Sequence, residues 1–189
     1  MSTKYKATIP DKPYFITITC VYWIDLFTRL NHRNTIINSL KYCQEKKDLV
    51  IFAYCIMPSH IHLICSADNG KLLSEIIRDF KKHTSKELID NIKSEIESRR
   101  KWLLDMFAKA CVHLKREQKY KLWQNGYHGK IIENPKFMYQ KLNYIHNNPV
   151  VARIVEKPED YLFSSARNYA DLDNELEVFI IPKQLITYC

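Results

Sequence analysis

Residues 53–65 read AYCIMPSHIHLIC, and the fold turns on how this stretch is parsed. The apolar run LVIFAYCIM (49–57) has the β-branched and aromatic character of a strand, and Pro58-Ser59 is a turn signal, because proline presets φ for the second position of a turn. HIHLICS (60–66) then returns as an antiparallel strand. Successive side chains on a strand point to opposite faces, so His60 and His62 share one face while Ile61 points into the other. Two imidazoles at that spacing can converge on one metal ion. The same pattern alone also describes a polar sheet face with solvated or hydrogen-bonded imidazoles.

Working outward, YFITITC (14–20) predicts an earlier strand, and Ile36, Ile37, Leu40 and Cys43 recur at helical spacing, predicting a helix over about 32–46. After the hairpin, Leu72, Leu73, Ile76, Ile77 and Phe80 form one stripe of a second helix. Residues of about 88–118 keep a helical pattern but are far more charged, which predicts an inserted helical arm. LWQNGYHGKII (122–132) is a short β-like segment. Asn134 as cap and Pro135 at the first helical position open a last helix, which Pro149 is expected to end. Without the arm the order contains β-α-β-β-α-β, the α/β (α+β) ferredoxin-like sandwich with an antiparallel sheet and a C-terminal tyrosine-bearing helix. One domain over 1–189 is expected, with a tail of about 150–189 wrapping the body.

Composition bounds the function. The chain has 189 residues, 46% hydrophobic and 26% charged, and no apolar run near the roughly 20 residues that span a bilayer. The first twenty residues hold no uninterrupted apolar core of a secretory signal, so a cytoplasmic protein without a membrane partner is expected. Six cysteines form no C-x-x-C pair and read as reduced core residues. A formal net charge of +8 favours a polyanionic partner, either a phosphate backbone or an acidic membrane surface.

A second constellation lies in KLNYIHNNPV (141–150). Tyr144 and Asn148 are four apart and share a helix face, with Lys141 one turn earlier, while Met138, Leu142 and Ile145 form a packing stripe. A tyrosine there can equally be an amphipathic packing residue, and an asparagine before proline is an ordinary helix-ending residue.

Five segments in order, MPSHIHLI, IIRDFKKHTSK, LWQ, YIHNNPV and PEDYLFSSARNY, make the chain resemble the single-tyrosine HUH endonucleases, and among them the REP-associated tyrosine transposases, over about residues 10–170. The resemblance implies that His60 and His62 bind a divalent metal, that Tyr144 is the nucleophile, and that Asn148 occupies the place of a polar third ligand, a position that is glutamine or asparagine among relatives. It implies a metal-dependent single-strand DNA nicking and joining enzyme working through a 5′-phosphotyrosine at hairpin-forming repeats, as a monomer or homodimer. Imidazole ligation by itself favours zinc or a later transition metal, whereas an incomplete His-His-Asn shell with phosphate oxygens suits Mg2+ or Mn2+; the resemblance selects the latter pair. The other class of reading is a non-catalytic nucleic-acid-binding regulator descended from a transposase, which has no use for the paired histidines, Tyr144 and Asn148.

Candidate DNA contacts are the basic residues of the second helix, Arg78, Lys81, Lys82 and Lys86, and of the arm, Arg99, Arg100, Lys101, Lys115 and Arg116. Trp123, Tyr127 and Tyr169 are candidates for stacking on unpaired bases, although packing is the commoner use of each. A solvated helix face is the ordinary role of any one of these lysines.

Overall fold

The computed structural model describes residues 7, 9–112 and 118–182. Strand β1 (Tyr14–Thr19) is followed by helix α1 (Leu30–Lys47), the hairpin β2 (Leu49–Ile56) and β3 (His60–Ala67), helices α2 (Leu73–Ser94) and α3 (Arg100–Lys109), strand β4 (His128–Ile131) and helix α4 (Pro135–Val151). The sheet is antiparallel throughout in the order β2-β3-β1-β4. This is the ferredoxin-like βαββαβ arrangement expected from the order of elements.

Strand parity divides the sheet into two faces. Ile16, Ile18, Ile61 and Leu63 are fully buried on one, toward α1 and α2, which pack on each other and on the β2-β3 hairpin. The register pairs Phe15 with Ile64, Thr17 with His62 and Thr19 with His60, so these residues share the opposite face, where α4 lies against β2 and β3. The hairpin turn is closed by Met57 N–H donating to the His60 carbonyl at 2.8 Å.

Three boundaries differ from the sequence reading. Helix α2 continues to Ser94, because Leu88, Ile89 and Ile92 extend its buried stripe through residues whose charge suggested an arm. Helix α3 then inserts Leu103 and Phe107 into the core, and the loop between them is tied down by Arg29 on Glu97 at 2.7 Å. Helix α4 runs two residues beyond Pro149: proline removes one amide donor, but Ala152 N–H still reaches the Asn148 carbonyl at 2.9 Å.

The segment after α4 explains PEDYLFSSARNY. Phe163 and Ser165 pair with the outer edge of β2, with Ile56 N–H donating to the Phe163 carbonyl and Ser165 N–H to the Tyr54 carbonyl, both at 3.0 Å. Tyr161 and Tyr169 add hydroxyl donors to the carbonyls of Ile56 and Phe52. An edge that would otherwise offer unpaired backbone groups is thereby covered. Cys20, Cys43, Cys55 and Cys65 are buried free thiols whose pKa burial pushes up, consistent with small core side chains; Cys111 is half-buried.

Candidate active site

The sheet face under α4 gathers the two constellations that the sequence separates by eighty residues. The His60 and His62 rings stand edge to face with centroids 4.7 Å apart, and the Tyr144 ring stands edge to face on His62 at 5.3 Å. Phe15 stacks on His62 at 5.6 Å and meets Tyr144 at 5.8 Å, so a core aromatic touches both and fixes their spacing. Asn134 positions the helix that carries Tyr144, its side-chain oxygen accepting from Phe137 N–H at 2.9 Å, with Pro135 filling the first turn.

His62 is the anchor of the site. It is 3% exposed, and its Nδ1 is hydrogen-bonded to Thr17 Oγ1 at 2.9 Å. Its Nε2 is buried and has no hydrogen-bond partner. Burial, then the neighbouring His60 and Lys141, push its pKa down to about 3; burial also lowers that of His60. Both imidazoles are therefore neutral at physiological pH, the form with a lone pair to donate. His60 Nδ1 is engaged by Ser59 Oγ at 3.1 Å. In each ring Nδ1 is held by a hydroxyl, which leaves Nε2 free to donate its lone pair, an arrangement in which a hydrogen bond behind a histidine can orient it toward a metal.

An orphaned, buried imidazole nitrogen beside a second neutral imidazole fits a divalent cation. Among the described residues no group of three or more His, Cys, Asp or Glu side chains could hold one. The remaining ligands would be amide, water or substrate oxygens, which suits a hard ion better than a closed zinc site. Asn148 is half-buried one turn beyond Tyr144, and among the described residues no hydrogen bond joins its amide to either imidazole. Tyr144 is 47% exposed, so a polymer substrate can reach it. Lys141 caps the cluster, its Nζ lying 4.9 Å from the centre of Phe15 and 5.3 Å from those of Phe137 and Tyr144.

Residues 13–108 match the family model "Transposase IS200 like". The chain belongs to the IS200-like transposase family. Transposases of this kind are enzymes of DNA recombination that cut and join strands. Among solved structures, this IS200-like transposase resembles a REP-associated tyrosine transposase bound to a REP hairpin, at 22% identity and a TM-score of 0.61, over 98% of this chain and 96% of that one. That likeness shows a shared fold. A candidate transposase from Deinococcus radiodurans R1 matches at 15% identity and a TM-score of 0.42, over 77% of this chain and 97% of that one, too distant to carry an argument. No curated protein sequence matches the chain. No helix among the described residues is long and apolar enough to cross a membrane.

The expected DNA contacts divide by environment. Trp123 is 5% exposed, stacked on Phe27 at 5.7 Å with its indole N–H on Thr84 Oγ1 at 3.1 Å; it is a core residue with no face for a base, a correction to the sequence reading. Arg99 pairs with Asp25 at 2.7 Å and Arg100 donates to the Ile92 and Glu95 carbonyls, so both are committed to closing the α2-α3 loop. Lys81 donates to the carbonyls of Gln124 and Gly126, and burial lowers its pKa to about 8; it tethers a loop. Arg78 and Lys82 line a groove between α2 and residues 118–126, joined there by Lys121, which the sequence reading missed. Lys86 lines a neighbouring groove beside α1, and Lys101 is exposed on α3. Lys115 and Arg116 lie outside the described residues. Tyr127 donates structure to the N-terminal segment by accepting from Ala7 N–H at 2.9 Å, and Tyr169 lies against β2.

Sequence reasoning also missed Phe15 and Thr17. Alternation in YFITIT places them with Thr19 on one face, but only the β1-β3 register, Thr17 opposite His62, brings that face to the histidines.

Proposed function

We propose that this transposase is a metal-dependent single-strand DNA endonuclease and strand transferase in which Tyr144 is the nucleophile and His60 and His62 hold Mg2+ or Mn2+, with Asn148 as a third, oxygen ligand. The observation that carries this reading is the unpartnered Nε2 of His62, buried beside His60 and one ring's width from a solvent-accessible tyrosine.

A divalent cation bound there supplies a Lewis acid that offsets the negative charge of the scissile phosphate and its transition state. The chain's own groups do the rest. Burial keeps the imidazoles neutral, Thr17 and Ser59 orient them, and Phe15 wedges His62 and Tyr144 at fixed spacing. Lys141 adds a cation beside the phenol and the incoming phosphate. The Tyr144 oxygen attacks phosphorus; a Tyr–O–P bond forms, the P–O3′ bond breaks, and the phenolic proton passes to solvent as the departing 3′ oxygen acquires one. The phosphotyrosine keeps the energy of the broken diester, so a second strand's 3′-hydroxyl can attack it and release Tyr144 without a nucleotide cofactor.

The substrate proposed is single-stranded DNA beside a hairpin-forming repeat, in keeping with the REP hairpin held by the structural relative. The test is a covalent adduct, resistant to denaturant, formed with hairpin-bearing single strands from the flanks of the gene. It is expected with Mg2+ or Mn2+, absent with chelator, and absent in Tyr144→Phe. An undiminished adduct in Tyr144→Phe would falsify the assignment.

A further inference from the structure

Immediately after β1 the backbone does something unusual. Tyr22 and Trp23 both take left-handed conformations, φ 56° and 55°, a region sparsely occupied by bulky residues and often found where function demands it. The turn is held from both ends. Cys20 N–H donates to the Ser59 carbonyl at 3.0 Å, Val21 N–H to Leu122 at 2.8 Å, Ile24 N–H to Val21 at 3.2 Å and Phe27 N–H to Pro58 at 2.8 Å. Val21, Ile24, Leu26 and Phe27 are buried. The result of this constraint is outward: Tyr22 is 56% and Trp23 60% exposed.

Trp23 is not at an arbitrary place on the surface. Its indole stands edge to face on His60 with centroids 5.4 Å apart. The same turn is bonded through Val21 to Leu122, next to Lys121 in the basic groove. A large exposed aromatic thus borders the phosphate-handling histidines on one side and connects to a cationic groove on the other. A nucleotide whose phosphate lies at His60 and His62 has its base within reach of that border, and an indole face stacks on any base.

We infer that Trp23, flanked by Tyr22, is a stacking subsite for an unpaired nucleobase next to the scissile phosphate. The inference rests on the reading of His60 and His62 given above. It accounts for the strained turn, for the exposure of two adjacent aromatics, and for the rigid hydrogen-bonded frame behind them. A rigid platform loses little conformational freedom on binding, so its contact area counts toward affinity.

The probe is a fluorescein-labelled single-stranded oligothymidylate of about 12 nucleotides, within the span such sites cover, titrated into the full chain in chelator so that no cleavage occurs. Binding is expected to quench tryptophan emission in the wild type and in Trp102→Phe, and to lose most of that quench in Trp23→Phe. Trp23→Ala is expected to weaken binding by about fivefold to a hundredfold, the range of one lost base stack. Trp23→Gly is expected to lose the same affinity while raising Tm, because glycine takes positive φ without strain; a tryptophan with a packing role would lower Tm instead. Wild-type affinity in Trp23→Ala, or full quench in Trp23→Phe, overturns the subsite even if the Tyr144 adduct forms. If Trp23→Ala weakens binding yet the wild type forms no adduct, the base-stacking contact stands while its place beside a scissile phosphate falls with the catalytic reading. A concentration-dependent dimer that Trp23→Ala abolishes at unchanged DNA affinity assigns the turn to self-association and also overturns it.

Discussion

The phenol ring of Tyr144 meets the imidazole of His62 from the same chain, edge to face, at 5.3 Å. Nucleophile and metal-ligand candidate are thus joined within one subunit, between a helix and the sheet beneath it. If catalysis uses this arrangement, mixing Tyr144→Phe protein with a His60→Ala, His62→Ala double variant restores no adduct above that of either alone. Recovery toward about a quarter of the wild-type adduct in an equal, randomly paired mixture would show a helix exchanged between subunits.

Thr17 is the group behind His62, bonded to Nδ1 at 2.9 Å. Removing it in Thr17→Val keeps the shape and frees the ring to turn or change tautomer. Metal affinity is expected to fall about 10- to 100-fold, the usual effect of losing a partner behind a ligand. Calorimetric Mn2+ titration checks this, with Tm as the control for folding. Unchanged affinity would mean that packing against Phe15 alone holds the ring.

Much of this was legible beforehand, for reasons visible in particular residues. The proline-serine turn and the alternation of HIHLIC announce the hairpin, and Asn134-Pro135 announce the start of α4, because these signals are local. Trp123 is a stacking candidate by residue type, with packing the commoner use, and only its bridge to Cys20 and its stack on Phe27 decide for packing. Phe15, Thr17 and Trp23 depend on register and on a left-handed turn, which are properties of the paired chain. The charged sequence after residue 88 concealed Ile92, Leu103 and Phe107, whose burial needs the partner helix.

Arg78, Lys82 and Lys121 line one groove without the loop-tethering role of Lys81. Arg78 is partly offset by Asp79 at 3.1 Å. If the three contact phosphates, changing all three to alanine should reduce the slope of log affinity against log salt by about 2, at about 0.7 per single-strand contact. Fluorescence anisotropy over a fourfold salt range measures it. An unchanged slope would place the strand elsewhere.

Ser165 ties α4 to the sheet edge. Its hydroxyl meets His146 Nε2 at 2.9 Å and accepts from Tyr54 N–H at 2.9 Å, and His146 lies on α4 two residues from both Tyr144 and Asn148. Ser165→Ala strands a buried imidazole nitrogen and a strand amide, a loss of about 1–3 kcal/mol per group. A lower Tm is expected, with adduct formation slowed more than DNA binding, since binding does not need the helix registered on the histidines. Equal effects on both would reduce the latch to a stability element.

Buried imidazoles make a further claim about acid. Burial pushes the pKa of His146 down to about 4 and that of His62 to about 3, and lowers those of His32 and His60. In the unfolded chain each titrates near 6.5, so between that value and the folded one the unfolded state binds more protons. Stability is therefore whole above about pH 6.5 and is lost as pH falls through 6 toward 4, each such group contributing up to about 1.4 kcal/mol per pH unit. Thermal melts of metal-free protein should show Tm falling across that window. His146→Gln, which retains a hydrogen-bonding side chain but cannot titrate, should flatten the dependence. A Tm that holds steady from pH 7 to pH 4.5 would mean that these rings are hydrated in solution, and with them the orphaned Nε2 on which the metal assignment stands.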